Sequence, residues 1–283
     1  MPVFVVLCRG KVFEESCRGI SDALTLIGAQ VSIQKGQEQF EDNVVYIIPG
    51  LHKLEGGLPN RFIAVQTEQT TSRWFTPEYI ASMQKAMCVW DFSPLNASRC
   101  MALGLRNVCW VPVRVPMDVF VFNTNSYNFH FQWRPPQDID VLFYGSDSPR
   151  RREMFRLLSK TPGRTVVFRY YSLFDQEREH LLRRSKVVLN LHYWPDGALE
   201  VHRVEYACSR GKCVVSEPSA DQMLDLTYKD CVTFARYADI PSVVTELLEH
   251  PAKRCALQAE AQKHSFKTQF DVRAVRACIG SIK

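Results

Sequence analysis

Residues 185–218, SKVVLNLHYWPDGALEVHRVEYACSRGKCVVSEP, gather His192, Glu200, His202, Arg203 and Glu205, followed by Ser216 and Glu217. Glu200 and Arg203 stand three apart, so on a helix they share a face, and the unpaired N–H groups of a first helical turn favour an anion beside them. A diphosphate next to the arginine, with a carboxylate accepting hydrogen bonds from a sugar or ribose hydroxyl, fits this set. Any one of these charges could be a solvated helix face; their concentration at one place weighs against that. A second group is Gly145-Ser-Asp-Ser-Pro-Arg150-Arg151-Arg152, a glycine turn after an apolar run and before a helix. Glycine lets the backbone approach a phosphate, and a helix start with arginines supplies positive charge. Gly145 and Arg151 are the expected phosphate contacts, with Arg150 or Arg152 solvated. In the first half, His52 follows the apolar run Val44 to Ile48, and Glu68 follows Phe62 to Gln66. Either is a candidate general base, since His titrates near neutrality and a partly buried Glu can be raised toward it. The alternatives are a helix-capping His and a Glu-Gln pair that satisfies turn amides.

The elements that would carry these residues alternate strand and helix. Val187 to Leu191 reads as a buried strand, His192 to Gly197 as a polar loop, Leu199 to Ser209 as a helix stopped at Gly211, and Cys213 to Val215 as the next strand. Such a unit builds parallel sheets, whose ligands bind beyond the carboxyl ends of the strands. The chain opens the same way, with a strand from Pro2 to Leu7, a helix from Ser16 to Ile27 and a strand from Gln30 to Ile33. Helices are expected over Phe75 to Lys85 and Asn96 to Leu103, the second capped by Asp91 or Ser93. The fold class is therefore α/β, as two Rossmann-like domains; an interdomain cleft between them is what the family resemblance given below implies. Residues 1–130 form the first domain, 131–260 the second, and 261–283 a closing helix. The linker falls near Asn123 to Pro136, where Asn, Ser and Pro accumulate.

Composition narrows the function classes. Hydrophobic residues make up 46% of the 283 and charged residues 23%, as in soluble globular proteins. No run reaches the length of a membrane span, and PVFVVLCRGK does not have the form of a signal peptide. The net charge of +5 is spread along the chain, which speaks against a nucleic-acid footprint. Ten cysteines without CxxC or Cys/His spacing predict reduced thiols in a cytoplasmic setting, with neither a zinc site nor a disulfide framework. The loop Cys8-Arg-Gly10-Lys11 lacks GxGxxG, so a dinucleotide cofactor is not expected. Asp138-Ile-Asp140 has the form of a metal-binding pair but starts a strand, at the edge away from the ligand side.

Arg203-Val-Glu205-Tyr-Ala-Cys-Ser-Arg-Gly-Lys-Cys-Val-Val-Ser resembles the nucleotide-sugar segment of GT-B glycosyltransferases, closest to the group 1 and CgeB-like type and more loosely to the exostosin-type C-terminal domain. The pieces YIIPGLHKL, LPNRFIAVQTEQ and WDFSPLN are similar to the N-terminal half of the same group. Two departures stand out: Gly197 occupies the place eight residues before Glu205 where group 1 has a glutamate, and Ser209-Arg-Gly-Lys replaces a tight Cys-Gly-x-Pro turn. The resemblance implies transfer of a hexose or pentose from a UDP- or GDP-linked donor to a glycan or glycoprotein hydroxyl. Gly145, Arg151, His192, Glu200, Arg203 and Glu205 would lie on the donor side and Glu68 or His52 on the acceptor side. It also implies that basic residues and helix dipoles, rather than a metal, stabilise the leaving diphosphate, that no other cofactor is used, and that the closing helix packs back toward the first domain. The rival readings are a non-catalytic nucleotide- or sugar-binding module of this fold, and a nucleic-acid or phosphoprotein partner using Arg150 to Arg152.

Overall fold

The structure is a computed structural model that describes residues 2–36, 39–51, 57–116, 136–171 and 173–282. The chain divides into two compact units, one made of residues 1–117 with 267–283 and the other of residues 118–266. His52 and the expected linker, apart from Pro136, lie outside the described residues.

In the first unit, apolar runs too short for helices become strands, and the segments between them supply the helical crossovers. The order along the chain is β1 (Val3–Leu7), α1 (Glu14–Leu26), β2 (Gln30–Gln34), β3 (Val44–Pro49), β4 (Phe62–Gln66), α2 (Pro77–Met83), β5 (Cys88–Asp91), α3 (Pro94–Ala102) and β6 (Val108–Trp110). The strands pair in parallel in the order β2-β1-β3-β4-β5-β6. Successive residues of a strand face opposite sides, so Phe4 and Val6 join Cys17, Leu24 and Trp90 on one face, while Val5 and Leu7 join Tyr46, Tyr79 and Met83 on the other. Both faces are buried, which is why β3 reads as an uninterrupted apolar run.

The second unit repeats the scheme with β7 (Ile139–Gly145), α4 (Pro149–Leu158), β8 (Val166–Tyr170), α5 (Asp175–Arg184), β9 (Ser185–Asn190), α6 (Val201–Ser209), β10 (Cys213–Ser216), α7 (Gln222–Tyr228), β11 (Val232–Phe234) and α8 (Ile240–Glu249). Its parallel order is β11-β10-β9-β7-β8. In both sheets the first strand of the unit lies between the second and the third. Crossovers leave in opposite directions from that strand, and the crevice they open at the carboxyl edge is where doubly wound folds place ligands. In the second unit the crevice lies between the ends of β7 and β9. The chain closes with α9 (Pro251–Phe270) and α10 (Arg273–Gly280).

Several boundaries differ from the sequence expectation for local reasons. Ser93, not Asp91, caps α3: its hydroxyl accepts from the Asn96 N–H and Pro94 opens the helix. Asp91 instead accepts the Ser93 N–H at 2.8 Å. Thr76 caps α2 in the same way, so that helix starts at Pro77 rather than Phe75. Helix α6 starts at Val201 rather than Leu199, because Glu200 has ψ +70 and sits outside the helix as its N-cap. The single closing helix expected over 261–283 is two helices, the first of which begins at Pro251.

Candidate functional site

The crevice of the second unit is built around Phe143, whose ring lies near two guanidinium groups. The Arg151 carbon is 5.0 Å from the ring centroid and that of Arg203 is 5.1 Å away. Two residues further on, β7 ends at Gly145. A Cβ built there would stand 2.6 Å from Arg203 Nη2 and 3.2 Å from the Phe143 ring, and the residue has φ +154, so glycine is required for the guanidinium to lie over this turn. Arg203 comes from the first turn of α6 and is held by Asn190, the last residue of β9, whose Oδ1 accepts from Nη1 at 2.6 Å. Asn190 is itself fully buried and donates to Ser216 at the end of β10. A buried side-chain relay from β10 through β9 thus fixes the arginine over the end of β7.

Arg151, one turn into α4, is only 2% exposed. It donates to Leu191 O from both Nε and Nη2, to Ser146 O from Nη1, and to Glu200 Oε1 at 3.1 Å. Burial and the neighbouring Arg203 charge pull its pKa down to about 10, which leaves it cationic at neutral pH. Ser148 caps the same helix through the Arg151 N–H.

His192 is completely buried, and both ring nitrogens face oxygen: Nδ1 lies 3.0 Å from Glu200 Oε2 and Nε2 lies 3.1 Å from Pro218 O. Two acceptors demand two N–H donors, so the imidazolium suits the site better than either neutral tautomer. Burial disfavours the charge, but Glu200, Glu217 and the Pro218 carbonyl outweigh it and raise the His192 pKa. Conversely, burial pushes Glu200 up, while His192, Arg203 and Arg151 bring it down to about 2. Gly197 explains one departure from the group 1 pattern: a Cβ there would lie 3.2–3.3 Å from the His192 side chain.

Glu217 completes the group. It accepts the His192 backbone N–H at 3.0 Å and a two-pronged contact from Arg150, which also stacks on Tyr237 at 4.1 Å. Of Arg150 and Arg152, one of which was expected to be solvated, it is Arg152, with 55% of its side chain exposed beside Asp147, while Arg150 is engaged by Glu217. Arg150, Arg151, Arg203 and His192 therefore stand against Glu200 and Glu217, an excess of positive charge at one strand edge. Tyr193 and Trp194 extend from the loop after β9 and are exposed.

Five expected residues meet here: Gly145, Arg151, His192, Glu200 and Arg203. Glu205 does not join them. It is 1% exposed in the second turn of α6, and its carboxylate accepts from Tyr228 of α7 at 3.0 Å and Ser265 of α9 at 2.5 Å. Asn190 was missed, its signal a lone Asn closing an apolar strand, and Glu217, already counted with the cluster, was not foreseen as the partner of Arg150. The Asp138 and Asp140 carboxylates sit at the start of β7, paired with Arg184 and Lys186. Among the described residues, no group of three or more His, Cys, Asp or Glu is arranged to hold a metal.

In the first unit, Glu68 follows β4 in a turn tied by Gln66, whose side chain accepts from the Glu68 N–H and donates to its carbonyl. Asn96 also donates to that carbonyl, and the Glu68 carboxylate accepts from Ser72 at 3.2 Å.

No protein-family profile matches the chain. Two uncharacterized proteins of Acanthamoeba polyphaga mimivirus are 30% and 31% identical over 137 and 117 residues, 48% and 41% of this chain. Those segments span only 15% and 38% of the relatives' own lengths. Among solved structures, Anabaena HepE in complex with UDP and glucose matches with a TM-score of 0.64 and 10% identity over 99% of this chain and 98% of that one. Sucrose-phosphate synthase of Thermosynechococcus elongatus gives 0.62 and 11% over 99% and 98%, and a putative UDP-N-acetylglucosamine 2-epimerase of Listeria monocytogenes gives 0.54 and 10% over 99% and 96%. With its two parallel sheets and these likenesses over nearly the whole length, the chain has the α/β fold of the GT-B glycosyltransferases.

Proposed function

We propose that the chain transfers a sugar from a nucleotide-diphosphate donor to an acceptor hydroxyl, with the diphosphate seated at the crevice between β7 and β9. The observation that carries this reading is the Arg203 guanidinium fixed over Gly145 by a buried asparagine, within a cluster whose cations outnumber its carboxylates. Arg203 and the α4 helix start would take the phosphates, and Arg151 would add charge from below without a free donor geometry. Glu200, one fifth exposed and ionised, would accept from sugar or ribose hydroxyls. Glu205 serves by holding α6 in place. Positive charge preset against the leaving diphosphate lowers the barrier because it needs no reorganisation as the bond breaks.

Acceptor activation by Glu68 or His52 belongs to the same proposal, as does operation without a metal, since the paired aspartates are engaged by Arg184 and Lys186. The acceptor is taken to be a glycan or glycoprotein. The compartment is taken to be cytoplasmic: all ten cysteines are free thiols, and among the described residues no helix is long and apolar enough to cross a membrane. UDP is the nucleotide to try first, because it accompanies HepE and names the epimerase's substrate. The test is calorimetry with UDP, GDP and their glucose conjugates, with product chromatography that reads both sugar release and sugar identity. Binding of UDP that Arg203→Ala weakens at least about tenfold, with sugar released or transferred, supports the reading. No nucleotide binding, or binding indifferent to Arg203, overturns the donor site; binding without turnover favours the non-catalytic module.

A further inference from the structure

Tyr171, the first residue beyond β8, has φ +63. In this left-handed region the Cβ of an L-residue crowds the carbonyl, so a bulky residue there marks strain. The backbone is tied by a hydrogen bond that any residue but proline could make: the Tyr171 N–H donates to the Gly145 carbonyl at 3.0 Å. Packing does not account for the tyrosine either. Its side chain is 63% exposed, the highest value among the large hydrophobic side chains of the described residues, so the fold covers little of the ring. Glycine or asparagine would fill the position with less strain. An aromatic ring held out in solvent on a strained backbone is the kind of outlier that functional sites retain.

The place of Tyr171 narrows its function. Gly145 pairs with Tyr170 across β7 and β8, so Tyr171 stands one step beyond the glycine turn and one strand spacing, about 4.8 Å, to the side away from β9. Doubly wound folds that seat a diphosphate at their first strand meet its ribose with a residue about 20 positions further on, past the first crossover helix. In the second unit that direction leads to the end of β8. A nucleoside whose diphosphate lies between β7 and β9 would run over Gly145 toward Tyr171. Every nucleobase has a π-face on which an exposed aromatic ring can stack, and a phosphate has none. We propose that Tyr171 stacks on the base of the bound nucleotide, holding it at the carboxyl end of β8. This role presupposes the diphosphate site proposed above and extends it to the nucleoside. The hydrogen bond from Tyr171 to Gly145 then links the base platform to the phosphate turn.

The experiment compares the full chain with Tyr171→Asn, which tolerates the left-handed backbone and has no ring, and Tyr171→Phe, which keeps the ring. Calorimetry is run with UDP, GDP and inorganic pyrophosphate, the last having no base to stack. Tyr171→Asn should weaken the nucleotide that the parent binds by about tenfold or more and leave pyrophosphate within about twofold, whereas Tyr171→Phe should stay within about threefold for both. Where pyrophosphate binds too weakly to read, the contrast between the two variants decides. In thermal unfolding Tyr171→Asn should melt no lower than the parent, since it relieves strain and uncovers no core. Nucleotide affinity unchanged by Tyr171→Asn, an equal loss for nucleotide and pyrophosphate, or a parent that binds pyrophosphate but neither nucleotide overturns the stacking role while the diphosphate site stands. A melting temperature lowered by Tyr171→Asn makes the ring a structural one and overturns the role as well. A parent that binds none of the three overturns the diphosphate site, and the stacking role with it.

Discussion

His192 shows how one buried group sets the charge state of its neighbours. Its raised pKa means that its contribution to stability is complete below the ordinary value of 6.5 and fades as the pH climbs through the raised value. Glu200, at about 2 against an ordinary 4.5, contributes fully above pH 4.5 and loses that contribution as acid titrates it. The pair therefore supports the fold most between about pH 4.5 and 6.5. His192→Gln, which keeps a hydrogen-bonding group but removes the charge, is expected to cost about 2 kcal/mol at pH 5.5, with the deficit shrinking as the pH rises through the raised His192 pKa. Urea unfolding at several pH values measures it, and a deficit independent of pH would refute the charged-histidine assignment. Gly145→Ala should both strain the turn and push Arg203 aside, weakening UDP binding by about tenfold or more, read by calorimetry. The grouping of His192, Glu200 and Arg203 was legible in the sequence because all three flank one strand-loop-helix unit. The Arg150–Glu217 pair was not, because its partners meet only through the order of β7, β9 and β10 in the sheet.

At the level of elements, the short apolar strands could be read directly, whereas several helix starts were displaced by a few residues, set by caps such as Ser93, Ser148 and Asp221 that accept from the first N–H groups. What could not be read was how helix ends are tied together. Arg114, 5% exposed, donates to the carbonyls of Thr268 and Gln269 at 2.7 and 2.6 Å and to that of Asp271, closing the end of α9 from more than 150 residues away. Arg114→Met should cost about 2–4 kcal/mol by stranding those carbonyls, and Arg114→Lys should recover part of it in the same denaturation assay. Glu205 is the second such tie, joining α6 to Tyr228 and Ser265. Glu205→Ala should lower stability by about 2–3 kcal/mol while UDP affinity of the folded protein changes less than about threefold. A large loss of affinity at unchanged stability would instead give Glu205 a direct place at the donor. A motif aligned by sequence fixes a residue's position on a helix but not the face that packing turns inward.

For the molecule as a whole, the two-sheet α/β architecture was the most legible feature, because doubly buried parallel strands leave continuous apolar runs that composition and spacing both betray. The proposal that guanidiniums and a helix start balance the diphosphate predicts that prolonged dialysis against EDTA leaves turnover within about twofold of the untreated protein, checked with the same chromatographic assay. Restoration by a divalent cation after such treatment would count against it. The last turn of α9 and all of α10 belong to the same unit as residues 1–117, and Val275 and Cys278 fill that unit's core. The amino-terminal half is thus not a segment that one scissor stroke can release. A fragment ending at residue 117 would lack the residues that cover β5 and β6 and would leave Arg114 with none of its three acceptors, so a workable dissection has to graft the final seventeen residues back by a linker or supply them as a separate peptide.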